Sequence, residues 1–185
     1  MILCLLPAGS LVANTVLGPH RFPVPIPKRP QSDEAPRGAI LTGGAGRELV
    51  TYTCLDKPTA DRGYWTPAGT DIERLESGLG AFMSHERTPS DYQPLHEYYR
   101  QYAGFTVGDK TYICVNLFHA SHVEETLSLA QRDLDLFKKL SAEGPPEDYW
   151  RREPVIVNDG GAYFFSVQYE AATSTFRYLR FNGHA

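Results

Sequence analysis

The side chains in this sequence with the means to do chemistry fall into three sets. His119 and His122 are followed closely by Glu124 and Glu125; Asp159 sits between Asn158 and a glycine pair with Glu153 upstream; Cys54 and Cys114 stand alone. Imidazoles and carboxylates together can complete a zinc or iron shell, so His119 and His122 are the candidate metal ligands. An H-x-x-H spacing aims both rings at one ion only on a helix, and the glutamate of an H-E-x-x-H motif is missing. The competing reading is a strand-to-helix loop carrying two solvated histidines.

Asp159 and His119 are the candidate acid-base pair, on the premise that the fold brings them together. A cation held by Asn158, Asp159 and Glu153 is disfavoured, because calcium takes six to eight oxygen ligands and no EF-hand spacing surrounds them. Asn, Asp and Gly all tolerate left-handed backbone, so "NDGG" reads first as a tight turn. His96 has no nucleophile or orienting acid nearby and reads as a surface histidine. Neither cysteine belongs to a C-x-x-C pair, which excludes thioredoxin-type chemistry and a zinc cage. Cys54 and Cys114 can form one disulfide or pack as two inert thiols. The glycines of "LTGGAGRE" lack the following Gly-Lys-Ser/Thr of a phosphate loop, so they read as a turn and no cofactor is expected.

Composition narrows the partners. The 185 residues are 42% hydrophobic and 22% charged, with a formal net charge of -4. That balance suits a globular domain and supplies no basic field for nucleic acid. Residues 1–18 open with "MILCLLPAGSLVA", which has the apolar length of an export signal without a preceding Lys or Arg, and which is too short to span a bilayer. Leu3 is bulky where a lipoprotein signal carries a small residue before its cysteine, so a lipid anchor on Cys4 is disfavoured. Residues 19–40 hold six prolines between Pro19 and Pro36 and read as an extended tether. Residues 41–185 read as one domain.

Within that domain, Glu48 to Leu55 predicts a strand. Thr70 and Glu73 have the spacing of a reciprocal cap that opens a helix, whose buried stripe is Ile72, Leu75, Leu79 and Phe82. Leu95, Tyr98, Tyr99 and Tyr102 predict a short helix that turns Arg100 and Gln101 to water. Gly108-Asp109 predicts a hairpin, and in its second strand Ile113, Val115 and Leu117 oppose Tyr112, Cys114, Asn116 and Phe118. Residues 123 to 142 predict one helix, with Leu127, Ala130, Leu134, Phe137 and Leu140 on its inner side. Pro154 to Val157 predicts a strand, followed by the turn and by a strand with Tyr163, Phe165, Val167 and Tyr169 on one face. In the last strand Phe176 and Leu179 are three apart, which requires a bulge or two covered faces.

These elements add up to an α+β fold, a curved and mostly antiparallel sheet with two main helices packed on one face. By analogy of element order alone it is similar to cystatin-like or nuclear-transport-factor-like (NTF2-like) sheets. The stretches "YWTPAGTDIERLE", "YYRQYAGFTVGDKTYICVNLF" and "DGGAYFFSVQYEAATSTFRYLRFNGHA" resemble an uncharacterised family of small exported bacterial proteins with a DGG-x-Y-F hairpin and a terminal NG-x-A, over residues 64–185. The resemblance implies a periplasmic or secreted location and carries no activity. The preferred expectation is a non-enzymatic exported protein that binds a protein or a small ligand. The alternatives are an immunity or inhibitor protein against a secreted toxin, a small acid-base enzyme, and, for location, the cytoplasm.

Overall fold

A computed structural model describes residues 38–55 and 62–183. The leader, Cys4 and the linker as far as residue 37 lie outside the described residues. The linker's last three positions do not behave as tether. Gly38–Ile40 form strand β1, paired in parallel with strand β3 (Tyr98–Val107). Strand β2 (Tyr64–Trp65) pairs antiparallel with β3 as well. β3 then pairs antiparallel with β4 (Lys110–His119), β4 with β5 (Phe164–Glu170), and β5 with β6 (Thr175–Phe181). The α+β class with a mostly antiparallel sheet stands as read from the sequence, and the sheet is open.

The helices divide between the two faces of this sheet rather than sharing one. Helix α1 (Gly43–Leu49) precedes α2 (Gly69–His85), α3 (Ala120–Ala130) and α4 (Leu134–Ser141). On the first face α2 sets Leu75, Leu79 and Met83 against Tyr98, Tyr102, Ile113, Val115, Leu117, Phe165 and Val167. On the second face α3 and α4 cover Tyr99 and Phe118, with Trp150 between. α1 and the π-helical turn Val50–Cys54 that continues it cover Ala103, Phe105 and Tyr112.

Several elements depart from the sequence-based expectation, each for a physical reason. Residues 48–54 are helical, not a strand, and only Leu55 is extended: Leu49, Val50 and Cys54 are buried together, and that packing outweighs the β preference of Val, Thr and Tyr. The glycines at 43, 44 and 46 belong to the first turns of α1. A side chain on Gly46 would strike the Leu41 carbonyl at 2.5 Å. α2 starts at Gly69, where the Asp71 carboxylate accepts from the Ala68 amide at 3.0 Å, the same capping logic moved two residues upstream of Thr70 and Glu73. The tyrosine-rich segment is β3, not a helix. It is central and covered on both sides, so its apolar residues show no period of two. Residues 123–142 are two helices because the Asp133 carboxylate accepts from the Asp135 and Leu136 amides and restarts the chain, leaving Leu134 exposed. Residues 154–157 join no ladder.

The last strand contains a bulge, one of the two arrangements its apolar spacing allowed. Ser166 faces Arg180 while Gln168 faces Arg177, so β6 spends one extra residue opposite β5. Phe176, Leu179 and Phe181 thereby all reach the α2 face, with Phe176 stacked on Phe82 at 4.9 Å.

One polar cluster locks α2 to the sheet. Tyr102 donates to Glu76 Oε1 at 2.6 Å, and Arg100 Nε lies 3.3 Å from the same oxygen. Burial, and after it the charge and hydrogen bond of Glu76, hold the Tyr102 phenol well above its ordinary pKa, so it stays a donor. Both acid and guanidinium are largely buried, and breaking such a pair from one side costs about 3–5 kcal/mol. Glu76→Ala is expected to lose roughly 3 kcal/mol in urea unfolding; a loss below about 1 kcal/mol would show that the pair is not desolvated as described.

Candidate functional site

Four polar residues form a row straight across the second face. Gln101 faces Asn116, Asn116 faces Ser166, and Ser166 faces Arg180, so the row crosses β3, β4, β5 and β6 in direct register. On one side of it lies the apolar patch beneath α3 and α4, on the other the patch beneath α1. Each member is bonded to what covers the sheet. The Gln101 amide donates to the Trp150 and Glu153 carbonyls, and its oxygen accepts from the Val155 amide. Asn116 donates to the Val155 carbonyl at 2.8 Å, so side chains rather than a strand ladder hold this segment to the sheet. Ser166 and Arg180 both donate to the Thr53 carbonyl, at 3.1 and 2.6 Å, and Gln168 donates to the Cys54 carbonyl at 2.6 Å.

Two hollows open along this seam and share Thr53, Leu55 and Arg180. The first, about 390 Å³, lies between Tyr52, Asn116, residues 155–158 and Asn182. The second, about 560 Å³, is lined by Arg62, Phe105, Val107, Tyr112, Ser166, Gln168, Tyr178 and Arg180. Arg62 and Arg180 both line the larger hollow, and none of the described residues lining it is an Asp or Glu. Arg62 is the anomaly. Its Nε and Nη1 are shut off from water and have no hydrogen-bond partner. A buried donor left unmade costs about 1–3 kcal/mol, and such a group calls for an explanation such as an ion or ligand.

The wall formed by residues 53–55 is held by a disulfide. Cys54 and Cys114 are bonded with their Cα atoms 5.8 Å apart, tying the π-helical turn to the middle of β4. The S–S bond, the Gln168 bond and the two bonds to Thr53 act at the same short stretch.

The residues named from the sequence are distributed differently. His119 is buried, not solvated, on the α2 face: its Nδ1 accepts from the Ser121 amide at 3.2 Å and lies 2.7 Å from the Ser121 hydroxyl. Because Nδ1 accepts, the neutral ring carries its proton on Nε2, which is directed at Glu97 Oε2 at 3.1 Å. The carboxylate beside His119 is therefore Glu97, a residue passed over in the sequence. Asp159 is exposed, and its backbone carbonyl accepts from Asn182 at 3.3 Å. His122 meets Phe118 and Phe164 edge-on, which puts it on the opposite face from His119. The two rings do not converge on one ion, and among the described residues no group of three metal-ligating side chains forms. The "NDGG" stretch is a bend with Gly160 and Gly161 at positive φ, tied to the end of β6 through Gly183 and Asn182. Among the described residues no helix is long and apolar enough to cross a membrane. Comparison with protein-family models, with curated proteins and with solved structures finds no match for this chain.

Arg62 and Arg180 carried no sequence signal, since neither belongs to a motif. Asn116 did: a polar residue in the middle of "YICVNLFH" must satisfy its amide inside a core.

Two predictions follow from these placements. The bond between Cys54 and Cys114 closes a 60-residue loop; the double replacement by serine is expected to cost roughly 2–4 kcal/mol in denaturant unfolding. An unchanged midpoint would mean that the wall is held without the bond. Burial pushes the His122 pKa below its ordinary 6.5, with Glu125 opposing. The unfolded chain thus takes up a proton near pH 6.5 that the folded chain refuses, so this contribution is complete above that pH and declines as pH falls below it. His122→Phe should flatten that stretch of the stability curve, and an unaltered slope would contradict it.

Proposed function

We propose that the protein is a non-enzymatic binding module of an oxidising, extracytoplasmic compartment that holds a small anionic ligand in the larger hollow of the seam. The observation that carries this reading is the Arg62 guanidinium, which has two donors buried and unpaired in a residue that lines the hollow. Planar guanidinium forks match carboxylate and phosphate oxygens two bonds at a time. Ser166 and Gln168 brace the wall opposite, so the hollow keeps its shape without a ligand. The Cys54–Cys114 bond and the apolar leader support an exported setting, because thiols are kept reduced in the cytosol.

The reading makes stability depend on anions. A ligand at a hundred times its Kd stabilises the folded state by about 2.7 kcal/mol. Thermal unfolding in phosphate and in citrate, each against chloride at equal ionic strength, should show a rise in Tm for at least one of the two. Arg62→Met should abolish that rise while leaving the Tm in chloride no lower than that of the parent, since it removes an unpaired charge. A Tm indifferent to both anions, or an Arg62→Met variant that responds as the parent does, would remove the basis for the proposal.

A further inference from the structure

One wall of the larger hollow has a fastening that is chemically reversible. Residues 53–55 form that wall, and they are held to the sheet by three hydrogen bonds and one covalent bond. The hydrogen bonds come from Ser166, Gln168 and Arg180, which line the hollow themselves, so the place of the wall and the aim of Arg180 are set together. Arg62 is fastened separately. The Gly63 amide donates to Thr106 Oγ1 at 2.9 Å, and the Thr106 amide donates to the Gly63 carbonyl at 2.9 Å, which ties this neighbour of Arg62 to the end of β3. The two cysteines also differ: Cys54 borders the hollow and is 7% exposed, whereas Cys114 is fully buried in the middle of β4. Neither belongs to the two larger apolar clusters, those of α2 and of α3 with α4. The bond therefore bears on the wall more than on the fold.

We propose that Cys54 and Cys114 are a redox gate on the anion site, which is assembled for its ligand only when they are bonded. This rests on the anion-binding reading above and adds its regulation. Reduction takes two electrons and two protons from a dithiol, which closes to its own disulfide, and leaves Cys54 and Cys114 as thiols. The wall then hangs from a five-residue turn by three hydrogen bonds, and a segment so held opens locally at low cost. Each opening withdraws the Thr53 carbonyl from Arg180 and removes one side of the hollow. A chain exported from a reducing cytosol is thus indifferent to the anions there and gains its ligand after oxidation. Linkage makes the coupling reciprocal. An anion that favours the bonded form tenfold makes the pair about 30 mV harder to reduce.

The test compares the full chain oxidised and in excess dithiothreitol, a dithiol that is uncharged and does not compete for the hollow. Citrate and phosphate are titrated into each by calorimetry, and amide hydrogen exchange is followed alongside. Reduction should weaken the tighter anion by at least about fivefold and speed exchange at Thr53 and Cys54, while Tyr102, Val115 and Val167 keep their protection. Reoxidation should restore the affinity. A smaller loss of affinity, or unchanged exchange at Thr53 and Cys54, overturns the gate and leaves anion binding standing. Protection lost along β3, β4 and β5 as well would show a bond that holds the fold rather than the wall, and overturns the gate too. An oxidised chain that takes neither anion overturns both readings.

Discussion

The row of Gln101, Asn116, Ser166 and Arg180 is the constraint on which the rest of the second face depends. A buried polar group must be bonded, and a sheet interior offers no water, so Gln101, Asn116 and Ser166 each need a backbone partner from the layer above, while Arg180 ends the row at the exposed margin. Gln101 and Asn116 find theirs in residues 150–155, Ser166 and Arg180 in Thr53. The covering layer is thereby fixed as two separate units in separate places. Between two units that each stop at a polar row, a seam is unavoidable, and the hollows are that seam.

The first face works by a different rule. It is apolar across four strands and is closed by one helix, with polar side chains gathered in the cluster of Arg100, Glu76 and Tyr102 and around His119. His119 belongs to that face: its two nitrogens are taken up by Ser121 and Glu97, which seats the ring and starts α3 at the same time. Its chemistry is used in capping. The division of labour between the faces thus follows from where the polar residues fall along β4, with Asn116 on one side and an unbroken Ile113, Val115, Leu117 on the other.

Much of this was legible in the sequence. The hairpin at Gly108, the alternation along β4 and the choice between a bulge and two covered faces from Phe176 to Leu179 are all short-range consequences of period two. The errors share one cause. β3 looks helical because both of its faces are covered, so Arg100 and Gln101 were sent to water when each has a buried partner. Residues 48–55 look like a strand because Val, Thr and Tyr favour one, until the disulfide and the packing of Leu49 and Val50 are counted. Tertiary burial decided both cases, and no local pattern records it. The hollow was illegible for a related reason, since Arg62, Gln168 and Arg180 come from distant segments.

The position of the disulfide connects the fold to the site. A seam between two covering units is soft wherever the units can slide, and residues 53–55 form a wall of both hollows with only a short π-helical turn behind them. The carbonyls of Thr53 and Cys54 already accept from Ser166, Arg180 and Gln168. Those bonds hold only if the wall stays within about 3 Å of the sheet, a distance that a single turn could leave at small cost. The bond from Cys54 to Cys114 removes that freedom from the middle of β4, so the hydrogen bonds close on a wall already in place. Arg180 is then aimed across the seam by a fixed partner. Preorganisation of the hollow is in this sense a property of one covalent link and three side chains, and it comes from the same row that divides the face.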